Sequence, residues 1–165
     1  MEKSYYKSPI GFLEIICEKD TLISLKLVKN ADKTDCETKL IKEIKTQLDE
    51  YFFGKRKVFD IKLKPIGTDF QKRVWYELQK IPYGETMSYS EIALAIGNKN
   101  AQRAVGSACN KNPIMIIISC HRVISKNGKT IEDLQNEENL KDSKYIRNIL
   151  YLKYISPTLT EQILF

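Results

Sequence analysis

The sequence predicts a mixed α/β (α+β) protein of 165 residues with two domains, a small α/β domain over residues 1–62 and a mostly helical domain over 63–165. Two observations predict this division. Before residue 62, alternating apolar and polar residues indicate strands beside one long helical pattern. After Pro65, the pattern changes to short helices that begin at capping residues and end at glycine or proline.

The N-terminal domain is predicted to begin with a β-hairpin. Residues 12–18 and 21–28 alternate well enough to form two strands, which are joined at Lys19 and Asp20. Residues 58–63 predict another short strand.

A helix is predicted between these strands. Thr34 with Glu37 has the pattern of a capping box, and the apolar residues that follow share one helical face until Gly54 ends the helix. No residue of this domain indicates chemistry. Cys17 and Cys36 are interpreted as a buried apolar residue and a helix-start residue.

Three short helices are predicted in the second domain. Thr68 can cap the first, and Ser88 with Glu91 forms a capping box that opens the second, which ends at Gly97. Asn100 is then positioned to cap the third. The predicted core of this domain includes Phe70, Val74, Trp75, Leu78, Ile92, Ile96, Val105 and Ile116.

The second and third helices, separated by a tight turn from Gly97 to Asn100, are typical of a helix-turn-helix. On the third helix, Gln102 and Arg103 point away from the apolar face, where they could contact a nucleic-acid groove. Any corner between two helices gives the same pattern, so this motif alone leaves DNA binding open.

Positive charge is concentrated in the middle of the chain. The net charge is +6, whereas residues 61–129 contain eleven Lys or Arg against four Asp or Glu. Clustered cations suit a polyanion, because each neutralised phosphate releases counterions. A basic solvated surface without a ligand would explain the same charges, so composition favours a nucleic-acid partner without deciding it.

Cys120 and His121, the only histidine, stand side by side after the apolar run 114–118, which is predicted to be a buried strand. A free thiol has a pKa of roughly 8.5, so only a minority is thiolate near neutral pH. His121 could accept the proton, directly or through water, and the charge of Arg122 would raise the thiolate fraction. The alternative is an inert core cysteine beside a surface histidine, since neighbours on a strand point to opposite faces.

Composition argues against a membrane, secreted or metal-binding protein. The apolar run 114–118 is five residues long, too short to cross a bilayer, and the N-terminal residues MEKSYYKS lack the apolar stretch that is typical of a secretion signal. The four cysteines lack the CxxC spacing of a zinc site and are expected to be free thiols. We therefore expect a cytoplasmic protein without a metal.

Residues 67–123, from GTDFQKRVW through IPYGETMSYSE to IIISCHRV, resemble the O6-alkylguanine-DNA alkyltransferases, or methylated-DNA–protein-cysteine methyltransferases. The likeness extends more loosely to SPIGFLEI and QLDEYFFGKRKVFD. It implies a ribonuclease-H-like N-terminal domain and a winged-helix-type domain that contains the helix-turn-helix. It also implies DNA repair by a monomer without a cofactor. An alkyl group would pass in a single turnover from O6-alkylguanine, or O4-alkylthymine, in double-stranded DNA to Cys120.

The resemblance implies four catalytic residues. Cys120 matches the alkyl acceptor, and His121 matches the residue that deprotonates it through a water. Asn112 matches the asparagine that braces the active-site turn. Tyr89 matches the tyrosine that helps to rotate the nucleotide and donates a proton to the leaving guanine.

The resemblance also implies DNA contacts. An O6 atom in a stacked duplex is out of reach of a thiolate until the base is extruded. Arg103 matches the finger that enters from the minor groove and fills the gap left by the flipped base. Tyr89 contacts the rotated nucleotide, and Gln102 and Arg122 are the other expected DNA contacts.

Two features depart from the family pattern. Ser119 replaces the proline that usually precedes the cysteine. After about Lys129 the chain lacks the glycine-rich active-site loop and the glutamate that orients the histidine, so transfer is expected to be slower than with the family ending. One alternative is a DNA-binding protein that senses alkylated bases with weak or no transfer, although such proteins replace the cysteine. Another is a helix-turn-helix regulator, which would not need the CHRV stretch.

Overall fold

The computed structural model describes residues 1–125, and the chain divides into two compact units. The first unit contains Met1–Ile66 and Pro113–Ile117, and the second contains Gly67–Asn112 and the chain from Ile118 onward. The predicted mixed α/β class is confirmed, because the first unit holds a sheet and a helix and the described part of the second is mainly helical. No helix within residues 1–125 is long and apolar enough to cross a membrane.

The first unit is built on a three-stranded antiparallel sheet with the order β1-β2-β3: β1 (Glu2–Ser8), β2 (Gly11–Glu18) and β3 (Thr21–Val28). The predicted hairpin of β2 and β3 is confirmed. Strand β1 was not predicted, because two of its three buried positions, Ser4 and Ser8, are hydroxyl residues that break the apolar alternation around Tyr6.

Helix α1 (Lys39–Phe52) begins later than predicted, at an N-cap formed by Thr38. The predicted capping box of Thr34 and Glu37 is wrong. The segment 34–37 lies beside β1 instead, where the Cys36 N–H donates to the Lys3 carbonyl at 3.0 Å. The helix instead starts where the Thr38 hydroxyl accepts the Ile41 N–H at 3.4 Å.

The predicted strand over residues 58–63 is also wrong. This segment contributes one isolated parallel bridge, between Leu63 and Leu22 of β3. The Gln47 side chain accepts from the Asp60 N–H at 2.8 Å and donates to the Asp60 carbonyl at 3.1 Å. A helix side chain therefore occupies the backbone groups that a ladder partner would use.

Up to residue 125, the second unit contains three packed helices, one 3₁₀ turn and a short parallel ladder: α2 (Asp69–Gln79), β4 (Met87–Ser88), α3 (Tyr89–Ala95), α4 (Gln102–Asn110), the 3₁₀ turn Cys120–Arg122, and β5 (Val123–Ile124). The caps predicted at Thr68 and Ser88 are confirmed, and both form complete capping boxes. The predicted cap at Asn100 is wrong. Ala101 is the N-cap, because the turn closes through a 3.0 Å bond from its N–H to the Asn98 carbonyl.

Most of the predicted core residues are buried, namely Val74, Trp75, Leu78, Ile92, Val105 and Ile116. Phe70 and Ile96 are only half-buried. The indole N–H of Trp75 donates to the Ala108 carbonyl at 2.8 Å, which ties α2 to α4 inside this core. Ile116 belongs to the first unit rather than to the second.

The predicted strand over 114–118 is wrong, and the segment is a turn instead. Leu25 of β3 holds its start, donating to the Pro113 carbonyl at 2.9 Å and accepting the Met115 N–H at 3.0 Å. Ile116 follows with φ 72, in the left-handed region that β-branched residues rarely adopt. The chain therefore reverses here, within the first unit, before it reaches Cys120.

Replacing Ile116 by glycine is expected to give a protein at least as stable as replacing it by alanine. Both variants lose the buried side chain, which is 1% exposed, but only glycine accepts φ 72 without strain. Ile118, which is also buried and has no positive φ, is the control, and there glycine should be less stable than alanine by about 0.5–1 kcal/mol. Urea unfolding of the four variants measures this, and the same order at both positions would show that the Ile116 conformation is unstrained.

Candidate active site

Cys120 lies at the start of the 3₁₀ turn and is half-buried. Its N–H donates to the Ile118 carbonyl at 2.9 Å. The side-chain amide of Asn112, just after α4, donates to the same carbonyl at 2.8 Å. Asn112 and Ile118 are the residues at which the chain leaves the second unit and returns to it. The asparagine therefore closes the loop that delivers the cysteine.

His121 and Arg122 are both buried, each with 5% of its surface exposed. The alternative of a surface histidine is therefore wrong, because Cys120 and His121 lie on a 3₁₀ turn rather than on a strand that would point them to opposite faces. The Arg122 guanidinium donates from Nη1 to the Ile81 carbonyl at 2.7 Å, and its Cζ lies 5.7 Å from the centre of the Tyr83 ring. Sequence reasoning missed Ile81 and Tyr83, and their only signal was the IPYG turn between helices.

Tyr89 is the first residue of α3 and is 3% exposed. It directly follows β4, whose Met87 and Ser88 pair with β5 in parallel, whereas the 3₁₀ turn that carries Cys120 directly precedes β5. One short ladder therefore joins the segment that carries Tyr89 to the segment that carries the cysteine.

The start of α3 is fixed by its capping box. The Glu91 carboxylate accepts the Ser88 N–H at 2.6 Å, and the Ser88 hydroxyl accepts the Glu91 N–H at 3.1 Å. Accepting the Ser88 backbone N–H lowers the pKa of Glu91 below its ordinary value. Since Tyr89 lies between the two residues, its backbone is held at both sides.

The two residues predicted to contact DNA from α4 differ in their surroundings. Gln102 is half-buried, and its side chain donates to the Lys99 carbonyl at 2.6 Å. Arg103 is exposed, and its guanidinium forms no hydrogen bond or ion pair with the residues that the structure describes. Lys99 and Lys111 are also exposed, so α4 carries cations at both ends.

The other cysteines differ from Cys120. Cys17 is fully buried, and this burial, with smaller contributions from Glu2 and Cys36, raises its pKa to about 11. Cys109 is also buried and Cys36 is exposed; all four cysteines are free thiols. Within residues 1–125, no cluster of three or more His, Cys, Asp or Glu side chains could hold a metal ion. The missing family loop and glutamate concern the chain after Lys129, outside the described residues.

Both parts of the chain match known protein families. Residues 1–65 match the family described as 6-O-methylguanine DNA methyltransferase, ribonuclease-like domain, and residues 69–144 match the corresponding DNA binding domain. A methylated-DNA–protein-cysteine methyltransferase of Methanosarcina acetivorans is 45% identical over 135 residues, which cover 78% of this chain and 86% of that protein. The constitutive methylated-DNA–protein-cysteine methyltransferase of Bacillus subtilis is 43% identical over 138 residues, which cover 75% of this chain and 82% of that protein.

Solved structures agree with these sequence matches. The O6-methylguanine methyltransferase of Mycobacterium tuberculosis superposes with a TM-score of 0.75 at 38% identity, covering 88% of each chain. A structure of Mycobacterium tuberculosis OGT in complex with DNA superposes with a TM-score of 0.72 at 42% identity, covering 79% of this chain and 82% of that one. On the strength of both domain matches and of relatives aligned over most of their length, this chain belongs to the methylated-DNA–protein-cysteine methyltransferase family.

Proposed function

We propose that this chain repairs DNA by transferring an alkyl group from O6-alkylguanine, or O4-alkylthymine, to Cys120 in a single turnover. The observation that carries this proposal is the half-buried Cys120 beside the buried His121, on a turn closed by Asn112. The relatives' printed names, methylated-DNA–protein-cysteine methyltransferase, support the same chemistry.

The proposed step is a displacement at the alkyl carbon. His121 takes the thiol proton through a water, and the sulfur forms a bond to the alkyl carbon as the carbon–O6 bond breaks. The electrons of that bond remain on the guanine, which takes a proton from Tyr89. The product is a thioether on Cys120. No residue of this chain is proposed to reverse the step, so each molecule acts once.

The proposed substrate is double-stranded DNA with the alkylated base extruded. Arg103, exposed at the start of α4, is available to fill the gap, and Tyr89 is proposed to contact the rotated nucleotide. Gln102 is proposed to contact DNA beside Arg103. We further propose that the protein acts as a monomer without a cofactor, and that it is cytoplasmic, which its four free thiols support.

Incubation with a duplex that carries O6-methylguanine with a labelled methyl group tests the proposed function. The label should move to the peptide that contains Cys120, in an amount that stops at one per chain. A protein that binds the lesion duplex and leaves the label on DNA would instead be an alkylated-base sensor. The relatives do not favour that alternative, and the chain retains the cysteine.

Replacing Arg103 by alanine is expected to slow transfer from duplex DNA about tenfold and to leave transfer from a free O6-alkylguanine base unchanged, because only the duplex requires extrusion. Lys111→Ala is the control, since it removes an exposed cation beyond the other end of α4. Equal loss on both substrates would show that Arg103 is structural.

A further inference from the structure

We propose that Arg122 is a positioning residue that fixes the turn of Cys120 and His121 against the segment that carries Tyr89. The proposal rests on the function proposed above and replaces the DNA contact expected for Arg122 from the sequence. A side chain that is 5% exposed and donates to the Ile81 carbonyl at 2.7 Å is turned into the protein rather than toward a phosphate.

Burying the Arg122 guanidinium costs free energy that only its interactions inside the protein can offset. A guanidinium stays protonated in proteins, so its desolvation cannot be relieved by loss of the proton. Within residues 1–125, no carboxylate forms a salt bridge with Arg122. Its described partners are one carbonyl and the face of Tyr83 at 5.7 Å. These partners are weaker than a carboxylate, but they belong to one particular segment of the chain.

That segment leads directly to Tyr89. Ile81 and Tyr83 form the turn after α2, and β4 follows within a few residues. The pairing of β4 with β5 joins only two residues of each strand, which is too short a ladder to hold the two segments in place by itself. The hydrogen bond from Arg122 to Ile81 adds a second contact, at the other end of the 81–88 segment.

Together, the β4–β5 ladder and the bond from Arg122 to Ile81 fix the positions of the groups that take part in the transfer. The reaction needs the sulfur of Cys120 and the hydroxyl of Tyr89 on the same nucleotide, and a small misplacement of such groups slows a reaction strongly. Because Arg122 directly follows His121, its bond to Ile81 also restricts the imidazole. Loss of the tie should therefore reduce the rate of the chemical step and not the affinity for DNA.

Arg122→Met and Arg122→Lys test the proposal, with single-turnover rates measured at saturating duplex and with a free alkylated base, well below Tm. Arg122→Met is expected to reduce both rates about tenfold, with DNA affinity within about twofold of the original. The transfer rates of Arg122→Lys should lie between those of the original protein and of Arg122→Met, because the lysine ammonium can donate to Ile81 but has no planar face for Tyr83. Tyr83→Leu, which keeps the arginine and removes the ring face, should also slow both substrates.

Arg56→Met is the matched control in the first unit. Arg56 also ties a turn through its guanidinium, donating from Nη1 to the Val58 carbonyl at 2.9 Å and pairing with Glu50 at 2.6 Å. This variant is expected to lower Tm and to leave both transfer rates unchanged. If Arg122→Met likewise lowers Tm alone, its role is structural and the proposal is wrong. If it weakens DNA binding and reduces the salt slope while the rate at saturation is unchanged, Arg122 is a DNA contact.

Thiol labelling separates this proposal from the proposed function. Iodoacetamide alkylates Cys120 without DNA, and the exposed Cys36 serves as an internal reference. Arg122→Met is expected to change the ratio of the alkylation rates of Cys120 and Cys36 by at least about threefold, because the turn that carries Cys120 loses its bond to Ile81. If the original chain transfers no methyl group and this ratio still changes, the proposed function fails and the positioning role stands. An unchanged ratio overturns the positioning role.

Discussion

Replacing Cys120 by alanine is expected to abolish alkyl transfer, with no label on the protein after prolonged incubation with O6-methylguanine duplex. The sulfur is the only atom proposed to form a bond to the alkyl carbon, so its removal leaves the alkyl group without an acceptor. DNA affinity is expected to stay within about twofold, because the footprint depends on exposed cations such as Arg103. Label transfer and fluorescence anisotropy measure the two effects separately.

Cys36→Ala is the control for this experiment. Cys36 is the most accessible of the other thiols, so it is the residue at which adventitious alkylation would occur. Its loss should leave both the rate and the final amount of label unchanged. Label that persists in Cys120→Ala and disappears in Cys36→Ala would move the acceptor to the N-terminal unit and contradict the proposed function.

Replacing Gly67 by alanine is expected to destabilise the second unit by about 2–3 kcal/mol. A Cβ at this position would lie 2.4 Å from Cη2 and 2.6 Å from Cζ3 of Trp75, closer than non-bonded atoms approach. Trp75 is 1% exposed, and its indole N–H is bonded to the Ala108 carbonyl, so the ring cannot swing away without breaking that bond. The expected loss of stability therefore comes from a steric clash and not from backbone strain, since Gly67 has no positive φ.

A double-mutant cycle with Trp75→Phe isolates this clash. The phenyl ring lacks the outer atoms that meet the added Cβ, so Gly67→Ala should cost less than about 1 kcal/mol in that background. Gly54→Ala is the control for backbone strain, since it has φ 72 and open space, and it should cost about 1 kcal/mol. Chemical unfolding gives all the values, and equal costs of Gly67→Ala in both backgrounds would show that the indole is not the cause.

Local patterns of the sequence determined much of the fold. The hairpin of β2 and β3 and the capping boxes at Thr68 and Ser88 depend on residues within a few positions of one another, so periodicity and capping chemistry predicted them. The sequence also identified the pair of Cys120 and His121 and, through its motifs, the family. Each of these features is specified by neighbours along the chain.

Only the tertiary structure decided where distant residues override those patterns. The apolar run 114–118 has the composition of a strand, yet the chain turns at Ile116. The start of this turn is hydrogen-bonded to Leu25, almost ninety positions earlier in the chain. For Arg122 the sequence predicts a DNA contact, and only the structure shows that its guanidinium donates to the Ile81 carbonyl, 41 residues away. A buried backbone or guanidinium group must be satisfied by whichever partner folding brings to it. That partner is not encoded by spacing along the chain.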